Sequence, residues 1–325
     1  MVIAHSVLEF FCGPLHVRLE CESARLRERL SSTLGMYDVR WDPPHRSIEL
    51  SVHETGECTP MVDSSYLRCS RMAVCRSPDG LIATSSSGGD LTLVRSASLD
   101  CWHMNVPTSL ADLEELEDFL VLVLTTGWRC LDWIPLHAGA LSHAGRCIIV
   151  CAPSGGGKST LTAGLMRAGW RTLGDDKLLL RIVDGRPRLA AVLHSLNLHP
   201  RTRQWFPEVG DLWLLPAYSA WTDKRKVSIA QIWPGRTERD AVPTHVVRLQ
   251  RKLDRSASSA RPLGPDEIFH TLVQQTVVPT ERSEAARSLR AVAQLAGHVR
   301  GIEFSIGENA FHDDECLGAL DRCLQ

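Results

Sequence analysis

At 325 residues, 44% of them hydrophobic and 23% charged, the chain has the composition of a soluble globular protein with room for two domains or one large one. Its net charge of −2 excludes a global electrostatic pull toward nucleic acid or an anionic membrane, so neither is expected as a partner. The most apolar run, residues 119–124, is far too short to span a bilayer, and no signal-peptide pattern opens the chain.

The eleven cysteines are odd in number, scattered and without a Cys-x-x-Cys pair, which suits a reducing cytoplasm. Cys69 and Cys75 are the one spacing that invites a zinc site, and no His cluster accompanies them. Only five of the 36 basic residues are lysines, at 158, 177, 224, 226 and 252.

In chain order, residues 6–20 alternate as a strand pair around Gly13-Pro14. Residues 22–34 carry Leu26, Leu30 and Leu34 on one helical face, with Gly35 as a stop. Residues 47–52 alternate as a strand. Residues 66–104 read as short strands broken at 78–80 and 88–89. Residues 1–107 therefore form a β-rich α+β N-terminal domain, a scaffold or an acceptor-recognition unit. Ser109 caps a helix whose apolar positions run from Leu110 to Leu124, with Gly127 ending the pattern. This helix joins the first domain to a second, residues 108–325.

Residues 135–142 form a strand candidate, 143–146 a turn, and 147–152 a buried apolar strand. With Ala144-Gly145 as a two-residue turn, cross-strand partners sum to 289, and His137 faces Ala152. After that strand comes Ala152-Pro-Ser-Gly-Gly-Gly-Lys-Ser-Thr160, opening into a helical pattern. Strand, Gly-rich loop, Lys-Ser and helix is the context of a phosphate-binding loop. Its glycines let backbone N–H groups turn toward phosphate oxygens, and the new helix points its positive end at them. Ser154, Gly155, Gly156, Gly157, Lys158, Ser159 and Thr160 are the candidate nucleotide-binding residues. Lys158 supplies charge to the terminal phosphates and Ser159 a hydroxyl to Mg²⁺. Ala152 stands where the usual pattern begins with Gly.

Gly169 ends the helix, and residues 170–173 form a short strand running into Gly174-Asp175-Asp176. A strand–helix–strand crossover makes the two strands parallel and places their C-terminal ends on one edge. The Asp pair then lies beside the terminal phosphates, where one carboxylate can hold Mg²⁺ and the other can accept a proton from an attacking hydroxyl. Residues 177–183 and 189–193 form a hairpin around Asp184-Gly185. Residues 194–226 hold His194, His199, Arg201, Arg203, Lys224, Arg225 and Lys226, among which the sequence does not choose a phosphoryl-facing cation. Residues 227–232 read as a strand and 254–261 as a polar loop. Residues 281–296 read as a helix, 301–306 as a strand and 314–324 as a final helix.

His137 in Leu-His-Ala-Gly, the hairpin, Ser-Gly-Gly-Gly-Lys-Ser-Thr and the Gly-Trp-x-x-Leu-Gly-Asp-Asp run ending at Asp176 together resemble the catalytic domain of the HPr kinase/phosphorylase family. They are closer still to the HPr-kinase-related kinases of peptide-modifying gene clusters, lasso-peptide kinases among them. The resemblance covers residues 135–182 well and the rest of the C-terminal half loosely. The N-terminal unit does not resemble the regulatory domain of true HPr kinases. The resemblance implies an α/β, P-loop, HPr-kinase-like catalytic domain using ATP and Mg²⁺. His137, Lys158, Asp175 and Asp176 would be catalytic, with Asp175 as base and Asp176, with Ser159, near the metal. The Glu-Ile-Arg-Gly signature of true HPr kinases is absent, and with it goes the basis for assigning HPr as acceptor or a phosphorylase reaction.

The leading reading is an ATP-dependent kinase that phosphorylates a serine hydroxyl of a peptide or protein, a ribosomally made lasso-type precursor above all. A homo-oligomer is left open. Two further readings stand beside it: a small-molecule kinase on the same scaffold, and a regulatory P-loop ATPase. The ATPase reading lacks the distant apolar strand ending in Asp that such switches carry.

Overall fold

The computed structural model describes residues 7–324 apart from 36, 38, 42, 57–66, 69–71, 78–79, 86–89, 96–100, 109–114, 216, 220–221, 252–257, 280–281 and 308–314. The expected cap at Ser109, the turns at 78–79 and 88–89 and the zinc spacing from Cys69 lie outside the described residues. The chain is a mixed α/β protein that divides into two compact units: Met1–Trp133 with Pro279–Ala285, and Ile134–Val278 with Ala286–Gln325.

The first unit is built on one sheet. Strands β1 (Leu8–Cys12), β2 (Leu15–Cys21), β3 (Arg46–Thr55), β4 (Leu67–Arg68), β5 (Met72–Ser77), β6 (Gly80–Ser85), β7 (Asp90–Arg95) and β8 (Cys101–Pro107) lie in the order β1-β2-β3-β8-β7-β6-β5-β4. Alternation buries Leu15, Val17 and Leu19 of β2 and Ile48, Leu50 and Val52 of β3. Helix α1 (Ala24–Leu34) is capped by the Ser23 hydroxyl, which accepts from the Leu26 amide, and buries Leu26, Leu30 and Leu34. Helix α2 (Glu115–Cys130) runs past Gly127, where the sequence predicted its end. A Cβ at 127 would meet Leu15 Cδ2 at 2.8 Å, so this glycine serves a close helix-to-strand approach. The indole of Trp128 donates to the Cys12 carbonyl at 2.9 Å. These contacts place α2 within the first compact unit, whereas the sequence reading began its second domain at residue 108.

The second unit holds three sheets. Strands β9 (Ile134–Leu136), β10 (Gly139–His143), β11 (Arg146–Cys151) and β12 (Arg171–Gly174) flank α3 (Lys158–Arg167). Then follow β13 (Leu178–Val183), β14 (Arg186–Ala191), β15 (Ser195–Leu198), three short 3₁₀ turns, β16 (Ala217–Ser219), β17 (Thr222–Ser228) and α4 (Ile229–Ile232). The remainder is β18 (Asp240–Ala241), β19 (His245–Arg251), β20 (Ser259–Leu263), α5 (Pro265–Gln274), α6 (Arg282–His298), β21 (Arg300–Ile306) and α7 (Glu315–Cys323). The main sheet has the order β12-β10-β11-β19-β21-β20, a second has β18-β14-β13-β9, and a third has β15-β17-β16.

The β10–β11 hairpin turns at Ala144 and Gly145 with φ of 48° and 77°, the left-handed pair of a tight two-residue turn. Its register pairs Gly139 with Val150 and Ala140 with Ile149, as the turn position dictated. The predicted strand 135–142 divides: β9 joins the second sheet and β10 the main one, with His137 at the switch. β12 runs parallel to β11, as the crossover required, although β10 lies between them. Residues 227–232, predicted as one strand, end β17 and form the turn of α4.

The core around α3 gathers Ile148, Val150, Leu161, Leu165, Met166, Leu196, Phe206, Val227, Val247 and Phe304. No disulfide joins the described cysteines, and no described helix is long and apolar enough to cross a membrane.

Candidate active site

β11 is buried from Cys147 to Cys151 and delivers the chain to the glycine-rich loop. Gly155 and Gly157 adopt φ of 76° and 95°, which L side chains resist, and Gly157 is the N-cap of α3. No side chain caps this helix, so its first-turn amides remain available to an anion. Ser154 and Gly155 are exposed, Gly156, Gly157, Ser159 and Thr160 are half-buried, and Lys158 is buried at the base of the loop.

β12 brings the Asp pair to the same edge. The Thr172 hydroxyl donates to the Ala140 carbonyl and accepts from the Gly174 amide, both at 3.0 Å, which fixes the last turn of chain before Asp175. Gly139 of β10 lies directly behind: a Cβ there would sit 3.1 Å from both Cα and O of Asp175. His137, between β9 and β10, is held by its own backbone, whose N–H donates to the Gln275 carbonyl at 2.7 Å beyond the end of α5.

Four of the predicted catalytic side chains converge here. Lys158 Nζ and His137 Nε2 each lie 3.0 Å from the same oxygen, Asp176 Oδ1, and Lys158 Nζ also reaches the His137 carbonyl at 3.5 Å. The His137 ring is 59% exposed, whereas the Asp176 carboxylate is 22% exposed. Asp175 is 1% exposed. Its carboxylate accepts from the Ser159 hydroxyl, and its Oδ1 is buried with no hydrogen-bond partner.

The two carboxylates titrate apart. Burial, then the charge of Asp176, pushes Asp175 up to about 6, against the Ser159 hydrogen bond and the charges of Lys158 and Lys224. Burial also acts upward on Asp176, but the hydrogen bond from His137 and the charge of Lys158 outweigh it and hold that carboxyl well below the usual carboxylate range. Adjacent acids driven in opposite directions are the arrangement of sites that move protons. The orphaned buried Oδ1 of Asp175 beside the Ser159 hydroxyl is a hard-oxygen pair that fits a divalent cation such as Mg²⁺. No cluster of three or more His, Cys, Asp or Glu suited to a metal occurs among the described residues.

Sequence reasoning missed the supports. Gln275 contributes only a backbone carbonyl, and Gly139 contributes the absence of a side chain. β19 was not predicted, yet it lies parallel beside β11 and pairs Arg248 with Cys151. Arg248 and Arg261 both bind Glu303 and Glu267 at 2.6–2.9 Å, a closed ionic cluster across the middle of β19, β21 and β20.

No protein-family model matches the chain, and no curated protein sequence matches it. Among solved structures it is similar to the Hpr(Ser) kinase/phosphatase from Coxiella burnetii, at 11% identity over 58% of this chain and 96% of that one, with a TM-score of 0.33.

Proposed function

We propose that this chain is an ATP-dependent kinase that transfers the γ-phosphoryl group to a serine hydroxyl of a peptide or protein, and that its acceptor is a ribosomally made precursor peptide of the lasso type. The observation that carries the reading is the contact of Lys158 and His137 with one oxygen of Asp176, at the mouth of a glycine loop whose Ser159 is bonded to a second, buried carboxylate. The loop amides and Lys158 take the phosphates, and Ser159 with Asp175 holds Mg²⁺. When bound, Mg²⁺ would supply positive charge against the charge that develops on the transferred group.

The two acids exchange the roles that the sequence reading gave them. Asp175 is too buried to meet an acceptor and already partners the metal-side hydroxyl. Asp176 is the accessible carboxylate and has an imidazole to orient it. Phosphates entering the loop draw Lys158 away, which removes the charge that holds Asp176 acidic and strengthens it as a base. Asp176 then takes the serine proton, the serine oxygen bonds the γ-phosphorus, and the bond from that phosphorus to the β-phosphate oxygen breaks, releasing ADP. His137 holds the carboxylate in line throughout. The protein acts in the cytoplasm on a substrate brought to the exposed loop.

Mass spectrometry of candidate precursor peptides incubated with the protein, ATP and Mg²⁺ tests this, with HPr and free serine as controls. A gain of one phosphate on a serine of the peptide is expected. Transfer to free serine alone would establish a small-molecule kinase instead, and ATP hydrolysis with no phosphorylated acceptor would establish an ATPase.

A further inference from the structure

β12 does not pair with β10 residue for residue. Leu141 lies opposite Thr172 and Ala140 opposite Gly174, so Leu173 between them has no partner on β10. This is a β-bulge, one extra residue in the strand that leads to the Asp pair. Its effect follows from alternation. Leu141 belongs to the core around α3, and Thr172, directly opposite, stands on that same face of the sheet. Unbroken alternation from Thr172 would put Gly174 on the α3 face and send Asp175 to the far one. The extra residue reverses this. Gly174 falls level with Ala140, and Asp175 comes to Gly139, whose Cβ would meet its Cα and O at 3.1 Å. Gly139 and Leu141 share a face, so Asp175 is turned toward α3, where its carboxylate accepts from the Ser159 hydroxyl.

One side chain spans the irregularity. The backbone of Thr172 is committed away from β10: its amide donates to the Arg236 carbonyl, and its carbonyl accepts from the Glu238 amide, both at 2.8 Å. Its hydroxyl is left to serve the bulge. It accepts from the Gly174 amide on one flank and donates to the Ala140 carbonyl on the other, both at 3.0 Å, and the residue is fully buried. The position asks for a group that gives and accepts at once, which a hydroxyl does. A methyl in its place would leave the buried Gly174 amide facing carbon, a cost that favours a different pairing of the strand.

We propose that Thr172 is a positioning residue: its hydroxyl locks the β12 bulge that turns Asp175 onto the face of α3, and so sets the buried carboxylate of the metal site. The proposal rests on the kinase reading above, in which Ser159 with Asp175 holds Mg²⁺. Without the lock the strand relaxes toward unbroken pairing, and Asp175 leaves the Ser159 hydroxyl. The loop amides and Lys158 belong to other elements, so nucleotide binding that needs no metal persists.

Calorimetric titration with β,γ-imido-ATP, in Mg²⁺ and again in EDTA, reads the metal-dependent part of binding when each variant is kept below its own melting transition. Thr172→Val keeps the shape and removes the hydroxyl. It should weaken binding in Mg²⁺ about tenfold, the effect of losing a group that orients a metal ligand, and binding in EDTA by less than about twofold. Thr172→Ser should restore the wild-type difference between the two titrations. Should Thr172→Val not fold, Thr172→Cys takes its place: a thiol gives and accepts weakly, so a loss of about three- to fivefold in Mg²⁺ alone is expected. Equal weakening in both titrations, none in either, or a Thr172→Ser chain that behaves like Thr172→Val would overturn the positioning role and leave the nucleotide site standing. A wild-type protein that binds the analogue equally in Mg²⁺ and EDTA would overturn the metal site and this inference with it. One that binds in neither would overturn the kinase reading as well.

Discussion

The two ends of the β10–β11 hairpin both gather charges and use them differently. At the turn end, residues 142–147 line a cavity of about 560 Å³ with Gly169, Arg171, Arg236 and Glu238. Every arginine there has a protein partner: Arg146 reaches Asp321 at 2.8 Å, Arg171 reaches Glu238 at 3.6 Å, and Arg236 donates to the Gly169 carbonyl at 2.9 Å, where it ties down the chain just past the end of α3. At the loop end, Asp176 Oδ1 is contested by two donors, Asp175 Oδ1 has none, and the first turn of α3 is uncapped. The turn-end cavity is electrostatically closed, and the loop end is left with unmet hydrogen-bonding groups, the feature that recommends it over a hollow of measurable volume.

The contrast is broken most directly at Lys158. Lys158→Ala should lower ATP-dependent transfer by at least about three orders of magnitude, because both phosphate charge and Asp176 lose their partner. Near-wild-type phosphorylation by a folded variant would remove the loop end from contention.

The Asp pair should separate next. Asp176→Asn is expected to cut transfer by about two to four orders of magnitude with ATP binding retained, the range for loss of a general base. Asp175→Asn should chiefly raise the Mg²⁺ requirement. Titrating each variant with Mg²⁺ decides between the acids: rescue of Asp176→Asn by added metal, and not of the other, would restore the roles first read from the sequence.

A stability measurement sharpens the same contrast without any substrate. The folded-state value of Asp175, about 6, lies above its ordinary 3.8. Between those values the folded protein keeps a proton that the unfolded chain gives up, so stability falls as pH rises from about 4 to 6, and the deficit is complete above that. At about 1.36 kcal/mol per unit, the deficit approaches 3 kcal/mol. Asp175→Asn should therefore be more stable than wild type to urea at pH 7.5 and similar to it at pH 3.5. A variant less stable at the higher pH would show that the buried carboxylate is already paired.

The smallest effect belongs to the turn end. Arg171 is 58% exposed, and Arg171→Ala should change stability by at most about 0.5 kcal/mol and transfer by less than twofold. A tenfold loss of transfer would give the turn-end cavity a part in the reaction.

What the sequence made legible follows from how local each signal is. The β10–β11 register was readable because two residues, Ala144 and Gly145, impose it. The loop and the Asp pair were readable because a crossover carries one to the other. β19 was not, because Arg248 and Gln250 interrupt its apolar run and both donate to Glu303, more than fifty residues on. The 227–232 run is apolar enough for strand or helix, and only the bond from Ile229 to His194 turns it. The different surroundings of the two acids were hidden for the same reason. Ser159 chooses Asp175, and His137 and Lys158 choose Asp176, through contacts that span 16 to 39 residues.

Gly139 gives the site an unusual kind of fragility. The spacing between β10 and Asp175 is set by atoms that are not there, since even one methyl would press on the Asp175 backbone at 3.1 Å. The residue before it is tied to the same strand, because the Thr172 hydroxyl accepts from the Gly174 amide and donates to the Ala140 carbonyl, so the chain there has little freedom to shift. A descendant of this chain could keep every charged residue of the site and still fall silent through one added carbon at 139. In a set of related chains, glycine at this position would be a sharper sign of a working enzyme than either aspartate alone.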